Sequence, residues 1–351
     1  MLLRMQEGAD NVLRLLMQFA FCYSGFVTHI YTHILFFMKR HLIIFISLVL
    51  LCGKGFSQVA IVPFEFGASK HIFIKVGVGS NDSLRFVFDS GCTGANIDSM
   101  AAVRAGISLQ DLQRVQVGGF GGSQTLFMAL HQDLRIGRLN INDIGLVLSD
   151  LSGISKAIGT KLDGIVGYEV LMKYVTKLDF EKRQISFYNS IAETDTAGFK
   201  GISFGFYKGV QIPRFPISIT MNNGETVTGR AMFDTGNGGT LTISAPFAKF
   251  HNLAAKAGKA MERKGYGVMP APELILVIKN MDYSGFSFGK MAVTMTLNEQ
   301  AEPKDGYLGI VGIDVIRRFN VIMDYGNQKI WLKPNSNYRS SFYFPPGTES
   351  W

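Results

Sequence analysis

The chain has 351 residues, of which 47% are hydrophobic and 18% charged, with 39 Gly, 28 Phe and a formal net charge of +8. That length exceeds one average domain and suits two lobes of about 130 residues each, and the composition is that of a globular, β-rich chain. The basic residues are scattered, the longest grouping being Glu262-Arg263-Lys264, so the charge is a modestly basic surface and a nucleic-acid face is excluded.

At the N-terminus, Met38-Lys39-Arg40-His41 precedes the apolar run 42–52. A basic segment followed by about a dozen apolar residues reads as a secretory signal peptide. It is too short for a membrane span, which needs about 20 residues. Cleavage is expected near Ser57-Gln58, so residues 1–57 divide into an upstream extension (1–37) and a signal peptide starting at Met38; the competing reading keeps 1–57 as an uncleaved anchor. The expected protein is exported, periplasmic or extracellular, with no stable membrane insertion after cleavage. A lipid anchor on Cys52 is disfavoured because Leu51, not a small residue, precedes it. Removal of 1–57 takes away five bases and two acids, so +8 falls to +5, and it leaves Cys92 as the sole cysteine. One thiol allows no disulfide within the mature chain.

Strands are expected at 59–64 and 72–78, with a turn at Asn81-Asp82 before the strand Leu84–Phe88. That strand ends in Asp89-Ser90-Gly91, and Asp98 then caps a short helix from Ser99 to Ala105, ended by Gly106. The segment 115–127 reads as two apolar strands around Gly118-Gly119-Phe120-Gly121-Gly122, a hairpin with a glycine-rich tip. After Gly-Ile-Val-Gly at 164–167, the segment 168–174 has helical spacing, and a strand pair at 175–188 closes the first lobe. The polar, aperiodic stretch 192–201 is the linker between a lobe at 58–191 and a second at 202–335.

The second lobe repeats the design. Strands 216–221 and 226–233 flank an Asn223-Gly224 turn, Asp234-Thr235-Gly236 follows, and Ser244-Ala245-Pro246 opens a helix with Pro in its first turn. Lys264–Val268 is a weaker counterpart of the glycine-rich hairpin. Gly-Ile-Val-Gly returns at 309–312, helical spacing at 313–319, and a closing strand pair at 320–332. The tail 336–351 carries Pro345-Pro346-Gly347 and several aromatics, and its packing is left open. Asp89 to Asp234, Gly167 to Gly312, Asp179 to Asp324 and Ile185 to Ile330 all lie 145 residues apart. A constant spacing over about 100 residues indicates an internal duplication of one structural unit.

Each copy thus places one carboxylate on a tight turn after an apolar strand. Two carboxylates about 3 Å apart cannot both ionise cheaply, so they share a proton and one pKa rises. Such a pair supplies acid and base together and needs neither metal nor covalent nucleophile. Glycine at 91 and 236 lets the backbone turn sharply and the two loops approach, while the hydroxyls of Ser90 and Thr235 can bond across to the opposite loop. Asp-Ser/Thr-Gly alone is a weak signal; two copies, each 78 residues before a Gly-Ile-Val-Gly, are a strong one.

On these motifs the sequence resembles the pepsin/retropepsin superfamily of aspartic proteases, in particular two-lobed exported bacterial members with retropepsin-like repeats, over about residues 60–335. The resemblance implies a mostly β, bilobal fold of two β-barrel-like lobes related by a pseudo-twofold axis, with short helices. It also implies catalytic Asp89 and Asp234, supported by Ser90, Gly91, Thr235 and Gly236. Ile165-Val166-Gly167 and Ile310-Val311-Gly312 would pack beneath the two Asp turns, and Gly118, Gly119, Phe120, Gly121 and Gly122 would form a flap over substrate. Phe120 stands where pepsin-like flaps usually present Tyr; Cys92 and Asn237 stand where relatives tend to have Ser, Thr or Ala, and Cys92 raises the prospect of sensitivity to thiol oxidation.

The expected activity is an aspartic endopeptidase acting on extended polypeptide, with no cofactor, no metal and no need to dimerise. The rival is a catalytically silent peptide- or ligand-binding module on the same fold. Asp179 and Asp324 sit near turns of closing strands and read as structural. Two Gly-x-Ser-x-Gly matches, at 201–205 and 285–289, are dismissed as serine-hydrolase elbows because no His follows Ser287 and only His251 follows Ser203. His71, His131 and His251 lack metal-ligand spacing.

Overall fold

The computed structural model describes residues 14, 17, 36–41, 58–119, 122–207, 210–264, 272–298 and 306–351. It divides into two units, Met1–Phe56 and Ser57–Trp351. In the first, the few described residues are helical, and the apolar run of the expected signal peptide lies outside the described residues. No helix among the described residues is long and apolar enough to cross a membrane, a statement that does not bear on β-barrels.

The second unit is mostly β with a few short helices. Three sheets build it. An eight-stranded sheet takes all its strands from between Glu65 and Val166, and a ten-stranded sheet takes all of its strands from between Gly205 and Val311. The third sheet joins the halves, in the order Ala60–Pro63, Gln184–Tyr188, Val175–Asp179, Phe319–Asp324, Lys329–Pro334, Lys200–Ser203. At its centre Val175–Asp179 and Phe319–Asp324 run antiparallel with Lys177 opposite Ile322, so each strand meets its own counterpart at the 145-residue spacing. That pairing is what a local twofold axis produces.

The spacing recurs in the elements that carry the Asp turns. The strand Asn81–Phe88 corresponds to Thr226–Phe233, Asn96–Asp98 to Leu241–Ile243, and the helix Tyr168–Leu171 to Ile313–Ile316. In each half the strand leading to the turn pairs in parallel with the Gly-Ile-Val strand, Phe88 beside Val166 and Phe233 beside Val311. A parallel neighbour reached by a long crossover is buried on both faces, which is why Phe86, Val87 and Phe88 form an unbroken apolar run. One continuous apolar core extends from Ala60 to Leu332 through both halves.

Local expectations meet the structure closely at the helix starts. The Asp98 carboxylate accepts from the N–H groups of Met100 and Ala101 at 3.1 Å and caps Ser99–Arg104, and Ser244 caps Ala245–Phe250 with Pro246 in the first turn. The turn expected at Asn81-Asp82 falls instead on Gly79-Ser80, with Asn81 already paired to Val78. Gly79 takes φ of +52°, a conformation glycine adopts without steric penalty, and that fixes the turn two residues earlier. The tail packs: the rings of Tyr338 and Phe342 meet Phe288 in tilted and edge-to-face contacts, and Phe344 and Trp351 cover Ile275, Val277 and Ala292.

Candidate active site

The two Asp turns meet beside the axis. Hydrogen bonds from the Asp89 N–H to the Val166 carbonyl (2.9 Å) and from the Asp234 N–H to the Val311 carbonyl (3.1 Å) seat each turn on its Gly-Ile-Val strand. Each carboxylate then folds back on its own turn, accepting from the Gly91 N–H at 2.6 Å and from the Gly236 N–H at 2.7 Å. Beneath them the hydroxyls cross over. Thr235 Oγ1 accepts from the Ser90 N–H at 3.0 Å and donates to the Phe88 carbonyl at 2.8 Å; Ser90 Oγ accepts from the Thr235 N–H at 3.0 Å and donates to the Phe233 carbonyl at 3.0 Å. Both hydroxyl residues are fully buried, so all four bonds are made out of contact with water.

The glycines are required by proximity. A methyl group on Gly91 would collide with the Asp234 carboxyl, and one on Gly236 with that of Asp89. Neither residue has positive φ, so of the two reasons expected from sequence it is the approach of the loops, not a left-handed turn, that requires glycine here. Gly167 packs against the Asp89 carbonyl and Gly312 against the carbonyls of Asn237 and Gly239, which puts both Ile-Val-Gly elements under the turns.

The two carboxyls hydrogen-bond to each other and remain half-buried. Burial pushes both above the ordinary carboxylate range, and Asp234 well above it because it also faces the Asp89 charge. Two carboxyls so placed, both with raised pKa, can share one proton, which is the arrangement that acid and base chemistry side by side requires.

Other expected site residues are placed less directly. Gly118, Gly119 and Gly122 lie in the paired strands Gln113–Gly119 and Gly122–Ile136, with Gly119 opposite Gly122; Phe120 and Gly121 lie outside the described residues. The counterpart hairpin pairs Met261–Lys264 with Pro272–Ile278, and its tip, 265–271, also lies outside them. The Cys92 thiol donates to the Asp89 carbonyl at 3.1 Å. Burial, then the nearby charges of Asp89 and Glu169, push its pKa well up, an environment that disfavours the thiolate form. Asn237 bonds Thr242 and the Gly239 N–H. Ser203 ends one strand and Ser287 lies in the middle of another, so neither Gly-x-Ser-x-Gly segment forms a strand-to-helix elbow. Among the described residues no group of three or more His, Cys, Asp and Glu is placed to ligate a metal.

Three neighbours escaped sequence reasoning. His71, only 6% exposed, hydrogen-bonds through Nε2 to the Gly236 carbonyl at 2.9 Å. The Tyr325 hydroxyl donates to the Ser90 carbonyl at 3.3 Å. Glu169 accepts from the Ala95 N–H at 2.6 Å through Oε1, while Oε2 is buried with no hydrogen-bond partner among the described residues. Each is a long-range contact; at all three positions the 145-residue repeat changes residue type, His71 against Pro216, Glu169 against Asp314 and Tyr325 against Phe180, a signal that marks the positions but not their partners.

Residues 74–170 match the family model described as aspartyl protease. The matched segment contains Asp89, the glycine-rich hairpin and the first Gly-Ile-Val-Gly, and the model it matches is that of an aspartyl-protease family of the pepsin/retropepsin clan. The second Asp turn lies outside the match. No curated protein matches the chain.

Proposed function

We propose that this protein is an aspartic endopeptidase whose catalytic groups are Asp89 and Asp234. The observation that carries the proposal is the pair of mutually bonded, half-buried carboxyls on turns tied together by the Ser90–Thr235 hydroxyl exchange. The domain limits we propose are an exported leader at 1–57, lobes at 58–191 and 202–335 arisen by duplication, a linker at 192–201 and a tail at 336–351.

In the resting pair Asp234 holds the proton and Asp89 is ionised. Asp89 takes a proton from a water molecule as its oxygen attacks the scissile carbonyl, and Asp234 gives its proton to the carbonyl oxygen, forming a neutral gem-diol. Collapse breaks the C–N bond; the proton held on Asp89 passes to the leaving amine, and a gem-diol proton returns to Asp234. General acid and general base each contribute about 10²–10⁴-fold in such steps. An extended polypeptide would lie under the hairpin built from Gln113–Gly119 and Gly122–Ile136, its backbone pairing with strand edges.

Titration with a pepstatin-like transition-state mimic tests this reading. One molecule bound per chain, with loss of peptide cleavage at the same stoichiometry, is expected. Binding of peptides with no cleavage at any acidic pH would favour the silent binding module instead.

A further inference from the structure

Beside the two Asp turns the halves differ at one conspicuous place. The turn between the strands Glu65–Phe66 and Ile72–Val78 projects Lys70 and His71 into the second half. Lys70, held at φ of +67°, pairs with Asp314 at 2.8 Å, and Asp314 heads the helix Ile313–Ile316, its N–H bonded to the Gly239 carbonyl. His71 bonds the Gly236 carbonyl at 2.9 Å and the Ser69 hydroxyl at 2.8 Å. At the 145-residue spacing their counterparts are Phe215 and Pro216, which can do neither. The first half therefore reaches the second Asp turn through His71 and the helix Ile313–Ile316 through Lys70; in the other direction the second half holds the first Asp turn from a different place, through the Tyr325 hydroxyl on the Ser90 carbonyl.

We propose that His71 is a positioning residue for the carboxyl pair: donating Nε2–H to the Gly236 carbonyl, it fixes the Asp234 turn, and its charge state biases the pair through Asp89. This rests on the endopeptidase reading. The charged and titratable groups that face it are Asp89 on the first turn, Asp234 beyond Gly236 on the second, and its neighbour Lys70, whose ammonium is held by Asp314 with Arg317 on that carboxylate's other side. With the Ser69 hydroxyl donating to Nδ1, the neutral imidazole satisfies both of its bonds. Burial lowers the His71 pKa, and the Gly236 carbonyl and the Asp89 charge partly offset that fall. In acid the imidazolium beside Asp89 favours the ionised carboxylate and keeps the acid limb of activity low; near neutrality His71 is uncharged and leaves the alkaline limb alone.

The test compares His71→Gln, which keeps a donor near Nε2 without the charge, with His71→Leu, which keeps neither. For His71→Leu, kcat should fall about tenfold or more with little change in KM. His71→Gln should recover most of that loss while its acid limb moves up by about half a pH unit and its alkaline limb stays put. Wild-type kcat and limbs in His71→Leu, or equal losses in both variants with no limb movement, would overturn the proposal. The NMR titration of the His71 ring in full-length wild type and Asp89→Asn adds a readout that needs no activity. A lower midpoint in Asp89→Asn is expected, and an unchanged midpoint defeats the proposal even if the enzyme cuts. Absence of cutting by wild type beside a shifted midpoint would instead condemn the endopeptidase reading.

Discussion

Ser90 and Thr235 each make two hydrogen bonds across the axis from positions with no access to water. Thr235→Val keeps the shape but removes the donor to the Phe88 carbonyl and the acceptor for the Ser90 N–H. Leaving two buried backbone groups unpaired costs about 2–4 kcal/mol, so chemical denaturation should show a fall of that order, with Thr235→Ser close to wild type. Gly91→Ala meets a different obstacle, the Asp234 carboxyl itself. It should abolish cleavage because the turns cannot approach while the methyl stands between them; full activity in Gly91→Ala would show that the carboxyls do not work at this separation.

At the level of elements, the Asp turns and their flanking strands were legible because each carries its own signal. An apolar run, Asp-Ser/Thr-Gly, a capped helix and a second Gly-Ile-Val-Gly all recur at one spacing, and local chemistry decides them. The Gly79-Ser80 turn was missed because Asn81-Asp82 is an equally good turn former, and the choice depended on which register buries Leu84, Phe86 and Phe88. His71 was illegible for a different reason: its partner is a backbone carbonyl 165 residues away, and carbonyls leave no trace in sequence. The tail is a third case. Arg318 is 1% exposed, and its guanidinium donates to the carbonyls of Asn337, Tyr338, Ser340 and Ser341 while lying 3.6 Å from the Phe342 ring centroid. Nothing in the Pro-Pro-Gly composition announces a buried cation as its anchor. Deletion of 336–351 strands that charge, a loss of about 3–5 kcal/mol, and should lower the melting temperature steeply. Adding Arg318→Met to the deletion should restore part of it; no restoration would mean the tail stabilises through its aromatic residues alone.

For the molecule as a whole, the 145-residue repeat gives two carboxylates in equivalent places with opposite surroundings. Asp314 is buried, which alone would raise its pKa, but Lys70 and Arg317 more than offset this and hold it low. Glu169, its counterpart, is raised by burial and has no cation beside it among the described residues. The signs differ accordingly. Asp314 contributes stability above the unfolded-state carboxylate pKa and loses it as pH falls through its depressed value; Glu169 contributes below its unfolded-state pKa and loses that contribution as pH rises through its elevated one. Asp314→Asn should therefore destabilise by about 1–2 kcal/mol at neutral pH and by less in strong acid. Glu169→Gln should stabilise at neutral pH by about 1 kcal/mol and be neutral in acid. Urea unfolding of both variants at two pH values checks the pair of signs, and the same sign for both would contradict the asymmetry.

The most direct test of the carboxyl pair is cleavage of a random peptide library from about pH 3 to 8 by the wild type beside Asp89→Asn and Asp234→Asn. Cutting by the wild type that each substitution reduces by about 10³-fold or more is the expected result. Cutting that survives both substitutions would contradict a mechanism centred on Asp89 and Asp234.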